Sequence, residues 1–313
     1  MNPYSYTRTE PQFNLKLVQT TRKWLRYKVD FPTAFPLAYE KNNTVRGEYL
    51  QPRGVTKAPL VIFFHGMGDE ILIPPKLLAR ALVKKGIACF ILYSVFHSSR
   101  TPEGSKKQLP DLTNQEWFER YQISVIDVRQ VADWAARREE INEDQIALIG
   151  ISFGGFISTI TMGVDKRIKA GVLIISGANA EKIVWKSRKG SMRRYKLSEE
   201  EYYQNQKLFA QYLKEVAEKG FENVTPARNS FITDPKTFAP ALRERPVLML
   251  NALWDEYIPK ETTLELWEAC GKPEIAWFPS THSTIFLFFP LISRKIIRFI
   301  QSTFANQDGQ TPQ

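Results

Sequence analysis

The chain has 313 residues, 43% of them hydrophobic and 24% charged, a balance that supports a buried core and excludes wholesale disorder. Its formal charge of +10 favours anionic partners only in a general way, because no zinc-finger spacing, heptad basic region or RNP-type aromatic string accompanies it. No apolar run approaches the ~20 residues that span a bilayer, and the two cysteines, Cys89 and Cys270, supply neither a disulfide framework nor a structural zinc site.

The opening residues are polar and lack the apolar core of a secretory signal, so a cytoplasmic location is the expectation. Residues 1–59 read as a lead-in, with early strands at 24–31 and 45–51. The unbroken apolar run 60–64 predicts a strand buried on both faces. His65-Gly66-Met67-Gly68 follows it, then a helix over 74–85 closed by Gly86 and a second buried strand over 87–93. A polar loop, 94–112, leads to Thr113 and Glu116, spaced as a capping box. They open a helix with Trp117, Tyr121, Val125, Val128 and Ala132 on one face. A strand at 146–149, a helix at 153–162 and a strand at 170–176 come next. After an interruption the rhythm resumes with a strand at 247–250, a helix at 262–270 and a strand at 274–278. A helix over 291–304 and a frayed tail over 305–313 close the chain.

Short apolar strands alternating with amphipathic helices predict an α/β fold with a mostly parallel central sheet, helices on both faces, and chemistry at the carboxyl ends of the strands. The interruption, 178–242, reads as a helical cap inserted into a core made of 60–177 and 243–304. Its basic run, 186–196, is expected to be a solvated face. Its one clear helix opens at a Ser198/Glu201 capping box, carries Tyr202, Phe209, Leu213 and Val216 on one face, and ends at Gly220.

Gly150-Ile151-Ser152-Phe153-Gly154 fits G-x-S-x-G, with a strand running into it and a helix running out, the setting in which this motif exposes a serine nucleophile. The HGMGD stretch at 65–69, GISFGG at 150–155, NALWDEYIP at 251–259 and STHS at 280–283 complete a pattern that resembles the α/β-hydrolase superfamily. Within it, the chain is similar to esterases of the dienelactone-hydrolase and acetyl-esterase type, although a dienelactone hydrolase proper has a cysteine where this chain has Ser152. A serine hydroxyl needs a base. Of the three histidines, His65 gains a loop-shaping role from the resemblance, and His97 lies on the working edge but precedes Ser152. His282, after the last strand, stands where the superfamily places its base. Asp255 follows the strand 247–250 and completes the order Ser…Asp…His, with Glu256 and Glu181 as competing carboxylates. For the oxyanion hole, the residue after the nucleophile supplies Phe153 N–H, and the resemblance supplies Met67 N–H, with Gly68 as the alternative.

These residues imply a serine hydrolase acting on a small-molecule carboxylic ester, with short- to medium-chain acyl or aryl groups. Neither cofactor nor metal is expected, nor nucleic acid, nor membrane insertion. A peptidase, thioesterase or acyltransferase with the same triad, or a non-catalytic binding protein of the same fold, are the alternatives. Phe286, Phe288 and Phe289 are candidates for an acyl pocket or for core packing.

Overall fold

The computed structural model describes residues 2–8, 12–67, 71–102 and 112–308. Gly68, Asp69 and Glu70 and the tail residues 309–313 lie outside them. Among the described residues the apolar runs form one nine-stranded sheet. Its strands are β1 (Asn14–Thr20), β2 (Trp24–Pro32), β3 (Thr44–Pro52), β4 (Ala58–Phe64), β5 (Ala88–Leu92), β6 (Ile141–Ile151), β7 (Ile168–Ile174), β8 (Val247–Ala252) and β9 (Glu274–Phe278). The order is β1-β2-β3-β5-β4-β6-β7-β8-β9, antiparallel through the β3–β5 pairing and parallel beyond it. The helices are α1 (Ile73–Val83), α2 (Asn114–Ala135), α3 (Phe153–Val164), α4 (Ala180–Lys186), α5 (Glu199–Lys219), α6 (Asn229–Ile232), α7 (Pro235–Phe238), α8 (Lys260–Ala269) and α9 (Phe289–Asp308).

The two-residue period of β4 shows why both layers of helices are needed. Leu60, Ile62 and Phe64 face a core shared with Val125 and Val128 of α2 and with Phe156 and Ile160 of α3. Val61 and Phe63 face the opposite core, with Leu78 and Leu82 of α1 and Ile292, Ile296 and Ile300 of α9. Burying each such side chain contributes roughly 1.5–3 kcal/mol.

Three elements depart from the sequence reading. Strand β1 carries no usable alternation, because it is an edge strand exposed on nearly its whole length and held by antiparallel pairing to β2. Helix α9 continues to Asp308, so residues 305–308 are not a frayed tail; after Pro290 in its first turn no glycine or proline stands before Gly309 to stop it. Helix α2 is buried well beyond one face. Arg120, Ser124, Asp127 and Gln130 are buried as well, and the connection between β2 and β3 packs over the last two. There Thr33 Oγ1 donates to Asp127 at 2.7 Å and Ala34 N–H to Gln130 Oε1 at 2.9 Å.

The interruption between β7 and β8 holds α4 to α7, more helix than its sequence announced. Both predicted capping boxes form, at Thr113/Glu116 and Ser198/Glu201, and Gly220 ends α5 with φ of 80°. The apolar face of α5 does not reach the main core. Phe209 and Tyr212 pack on Val224 and Phe231 of the same segment, with Leu213 and Val216 beside them, so these side chains are consumed within the segment. Tyr202 stacks on Trp185 at 4.5 Å. The segment is tied down by buried Asp234, whose carboxylate accepts from the N–H groups of Asn179, Ala180 and Lys236 at 2.9, 2.6 and 2.8 Å.

Candidate active site

Strand β6 ends at Ile151 and α3 begins at Phe153, so Ser152 alone makes the turn, at φ 54° and ψ −117°. A non-glycine residue in that region is strained and persists only when its surroundings over-determine it. Here Ser152 N–H donates to Ile174 O of β7 at 2.8 Å, and Gly155 N–H donates back to Ser152 O at 2.8 Å. The flanking glycines are required by space. A Cβ on Gly154 would stand 1.9 Å from Phe64 O, and one on Gly150 would stand 2.2 Å from Gly154 O. The serine side chain remains partly exposed above the carboxyl edge of the sheet.

His282, in the loop between β9 and α9, brings Nε2 to 3.0 Å from Ser152 Oγ. Its Nδ1 lies 2.7 Å from Asp255 Oδ2. A carboxylate can only accept, so Nδ1 carries the proton and Nε2 is free to take the one on Ser152. The other carboxylate oxygen of Asp255 accepts from Tyr257 N–H at 2.9 Å and Ile258 N–H at 2.8 Å, which fixes the acid's orientation in the turn after β8.

The loop after β4 passes directly beside the serine. A Cβ on Gly66 would lie 3.3 Å from Ser152 Cβ, a tight contact that glycine avoids where the backbone passes the serine. Buried His65 sets the direction of that loop. Ser94 N–H donates to its Nε2 at 3.0 Å, which leaves the proton on Nδ1, and Nδ1–H donates to Gly66 O at 2.7 Å. Burial first, and His97 beside it second, hold His65 down to about 3, so the ring stays neutral. With the Gly66 carbonyl turned toward His65, planarity of the trans peptide turns Met67 N–H the opposite way. Phe153 N–H belongs to the first turn of α3, whose donors have no partner within the helix.

The competing carboxylates have other partners. Glu181 lies near Asn205 Nδ2 (3.3 Å) and Arg228 Nε (3.6 Å). Glu256 does not approach the imidazole nitrogens as Asp255 does. Instead its Oε2 accepts from His282 N–H at 3.1 Å. Its backbone carbonyl accepts from Arg188 N–H, Lys189 N–H and Ser187 Oγ at 3.0, 3.1 and 2.9 Å. Lys189 Nζ is 3.9 Å from Glu256 Oε1 and lies over the Tyr257 ring at 5.0 Å. The loop carrying Asp255 is therefore clamped by the residues that follow α4. Lys186, Arg188, Arg193 and Lys196 of the basic run are exposed, as expected, but half-buried Lys189 is part of this clamp. Nothing in the sequence announced it, because its two halves are separated by some seventy residues. Phe286, Phe288 and Phe289 pack against the core beneath α9.

A family model described as "Alpha/beta hydrolase domain containing 18" matches residues 26–301. The chain belongs to this α/β-hydrolase family. An acetyl xylan esterase from Paenibacillus sp. R4 superposes with a TM-score of 0.70 at 20% identity, over 94% of this chain and 90% of that one. Acetyl xylan esterase 1 from Thermoanaerobacterium sp. JW/SL YS485 gives 0.64 at 17%, over 93% and 89%. A hypothetical protein from Pseudomonas aeruginosa gives 0.61 at 16%, over 93% and 100%. At these identities the likeness is one of fold. An uncharacterized protein of Mycobacterium tuberculosis is 24% identical over 183 residues, 57% of this chain and 36% of its own length. The chain thus spans about a third of the curated relatives it matches. Among the described residues no helix is long and apolar enough to cross a membrane.

Proposed function

We propose that the protein is a serine carboxylic-ester hydrolase working through an acyl-enzyme. The observation that carries this reading is the line Asp255–His282–Ser152, with contacts of 2.7 and 3.0 Å, set on a strained serine turn. In the proposed reaction Ser152 Oγ attacks the ester carbonyl while His282 Nε2 takes its proton, and Asp255 stabilises the imidazolium. Phe153 and Met67 N–H meet the oxyanion. The imidazolium then protonates the leaving alcohol, and water, activated by the same base, releases the acid. The esterase names of the fold neighbours agree with this chemistry.

The segment 178–242 is proposed to act as a cap, since its Ser187–Lys189 stretch is bonded to the catalytic loop. Water exclusion and substrate restriction follow from such a placement, and small acyl or aryl esters are the proposed substrates. Hydrolysis of an aryl-ester series from acetyl to palmitoyl, with Ser152→Ala as control, tests this. Turnover should fall by several orders of magnitude in Ser152→Ala. An active Ser152→Ala enzyme would refute the mechanism, and a clear preference for palmitoyl would refute the substrate range.

A further inference from the structure

Among the described residues two arginines have no exposed surface at all, Arg100 and Arg120. Arg100 is paired with Asp127 at 2.7 Å and also donates to Tyr93 O at 2.9 Å. Arg120, on α2, has no such partner. Its Nη2 is 3.5 Å from Ser94 Oγ, at the outer limit of a hydrogen bond, and its Nε and Nη1 have no acceptor among the described residues. The guanidinium carbon lies over two rings, 4.7 Å from the centroid of Phe153 and 5.4 Å from that of Trp117. The N–H groups at its edge remain to bind something. Burial lowers the group to about 10, which still leaves it charged at neutral pH.

His97 lies in the same place. It is 4% exposed, its ring is 4.1 Å from that of His65, and neither ring nitrogen has a partner among the described residues. Burial first and Arg120 second bring it down to about 4, so it is a neutral imidazole with one N–H to donate. The cluster borders the catalytic centre on two sides. Phe153, against which Arg120 stacks, follows the nucleophile, and Ser94 N–H holds His65, which in turn aims the Gly66–Met67 peptide.

An uncompensated buried cation is expensive, and a fork of unused guanidinium donors matches the two oxygens of an oxyanion. We propose that Arg120, with His97, forms a buried receptor for an oxyanion, carboxylate or phosphate, carried by the ester that Ser152 attacks. This rests on the esterase reading and names its substrate class: esters bearing a negative charge near the reacting carbonyl.

Two matched pairs of substrates test it: 4-nitrophenyl butyrate against 4-nitrophenyl hemisuccinate, and glycerol monoacetate against acetylated glycerol phosphate. The wild-type enzyme should favour the anionic member of one pair by on the order of 10²-fold in kcat/KM, as expected for pairing a desolvated charge. The responding pair identifies carboxylate or phosphate. Arg120→Met should bring the ratio back toward one, whatever happens to the absolute rate, and Arg120→Lys should restore part of it. Should either variant fail to fold, calorimetric titration of Ser152→Ala protein with succinate and with inorganic phosphate decides the matter. Hydrolysis of neutral esters with no charge preference in either pair overturns the receptor and leaves the esterase standing. Loss of all ester hydrolysis together with anion binding to Ser152→Ala protein overturns the esterase and leaves the receptor. No binding of either anion overturns the receptor regardless of activity.

Discussion

Replacing Asp255 by asparagine changes one atom and should remove nearly all activity for a reason visible in the hydrogen bonds. Two backbone donors, Tyr257 N–H at 2.9 Å and Ile258 N–H at 2.8 Å, face Oδ1. The asparagine oxygen must stay there, because an NH₂ group would confront two donors. The NH₂ then occupies the site of Oδ2, 2.7 Å from His282 Nδ1, and donates to it. The imidazole proton moves to Nε2, which faces Ser152 Oγ and can no longer accept. A wrong tautomer of this kind costs about 10⁴-fold in turnover, equivalent to about 5.4 kcal/mol in the barrier. The fold should barely notice, since both backbone bonds survive; a stability loss below about 1.5 kcal/mol is expected. The assay is kcat/KM for an aryl acetate across pH, with thermal melting alongside. Glu181→Gln should be near wild type, because Glu181 faces Asn205 and Arg228. The reasoning fails if Asp255→Asn keeps more than about a tenth of its activity, or if Glu181→Gln or Glu256→Gln is the severe change.

Three further outcomes follow from other contacts. Glu256→Ala removes the acceptor for His282 N–H and the partner of Lys189, so kcat should fall roughly tenfold with KM little changed, whereas Glu256→Gln keeps the acceptor and should be mild; steady-state kinetics on both variants read this. Gly154→Ala drives a Cβ to 1.9 Å from Phe64 O and should cost more than ~3 kcal/mol, seen as a collapse of the melting temperature or failure to fold. Asp165 is buried, which alone would raise its pKa, but its bonds to Arg167 at 2.6 Å and Arg129 at 3.1 Å outweigh this and lower it. A depressed carboxylate stabilises the fold above its unfolded pKa of about 3.9 and loses that contribution as pH falls through the folded value. Asp165→Asn should therefore cost about 3–5 kcal/mol at pH 7 in urea unfolding, and the gap to wild type should close below about pH 4.

Outside the segment between β7 and β8, the order of strands and helices from β4 to α9 could be read from the chain alone, because each of those elements is announced by its immediate neighbours. A strand covered on both faces must be apolar throughout, as 60–64 is. A helix that must start at one residue advertises its cap, as Thr113 and Ser198 do. The same holds for Ser152: a turn that admits no Cβ at positions 150 and 154 writes its glycines into the sequence. The position of His282 after the last strand was legible for a different reason, the resemblance of its surroundings to a known pattern. What tertiary structure decided were contacts whose two halves lie far apart in the chain. Strand β1 has no buried face to impose a period, and only pairing with β2 reveals it. The apolar face of α5 could equally have served a pocket, until Val224 and Phe231 were found against it. Glu256 looked like a rival acid, and its geometry makes it the acceptor that holds the His282 backbone. Nothing in the neighbouring residues marks Arg120 as special, and only its burial against Phe153 and Trp117 sets it apart. Periodicity and capping are properties of adjacent residues, whereas the partner of a buried charge is a property of space.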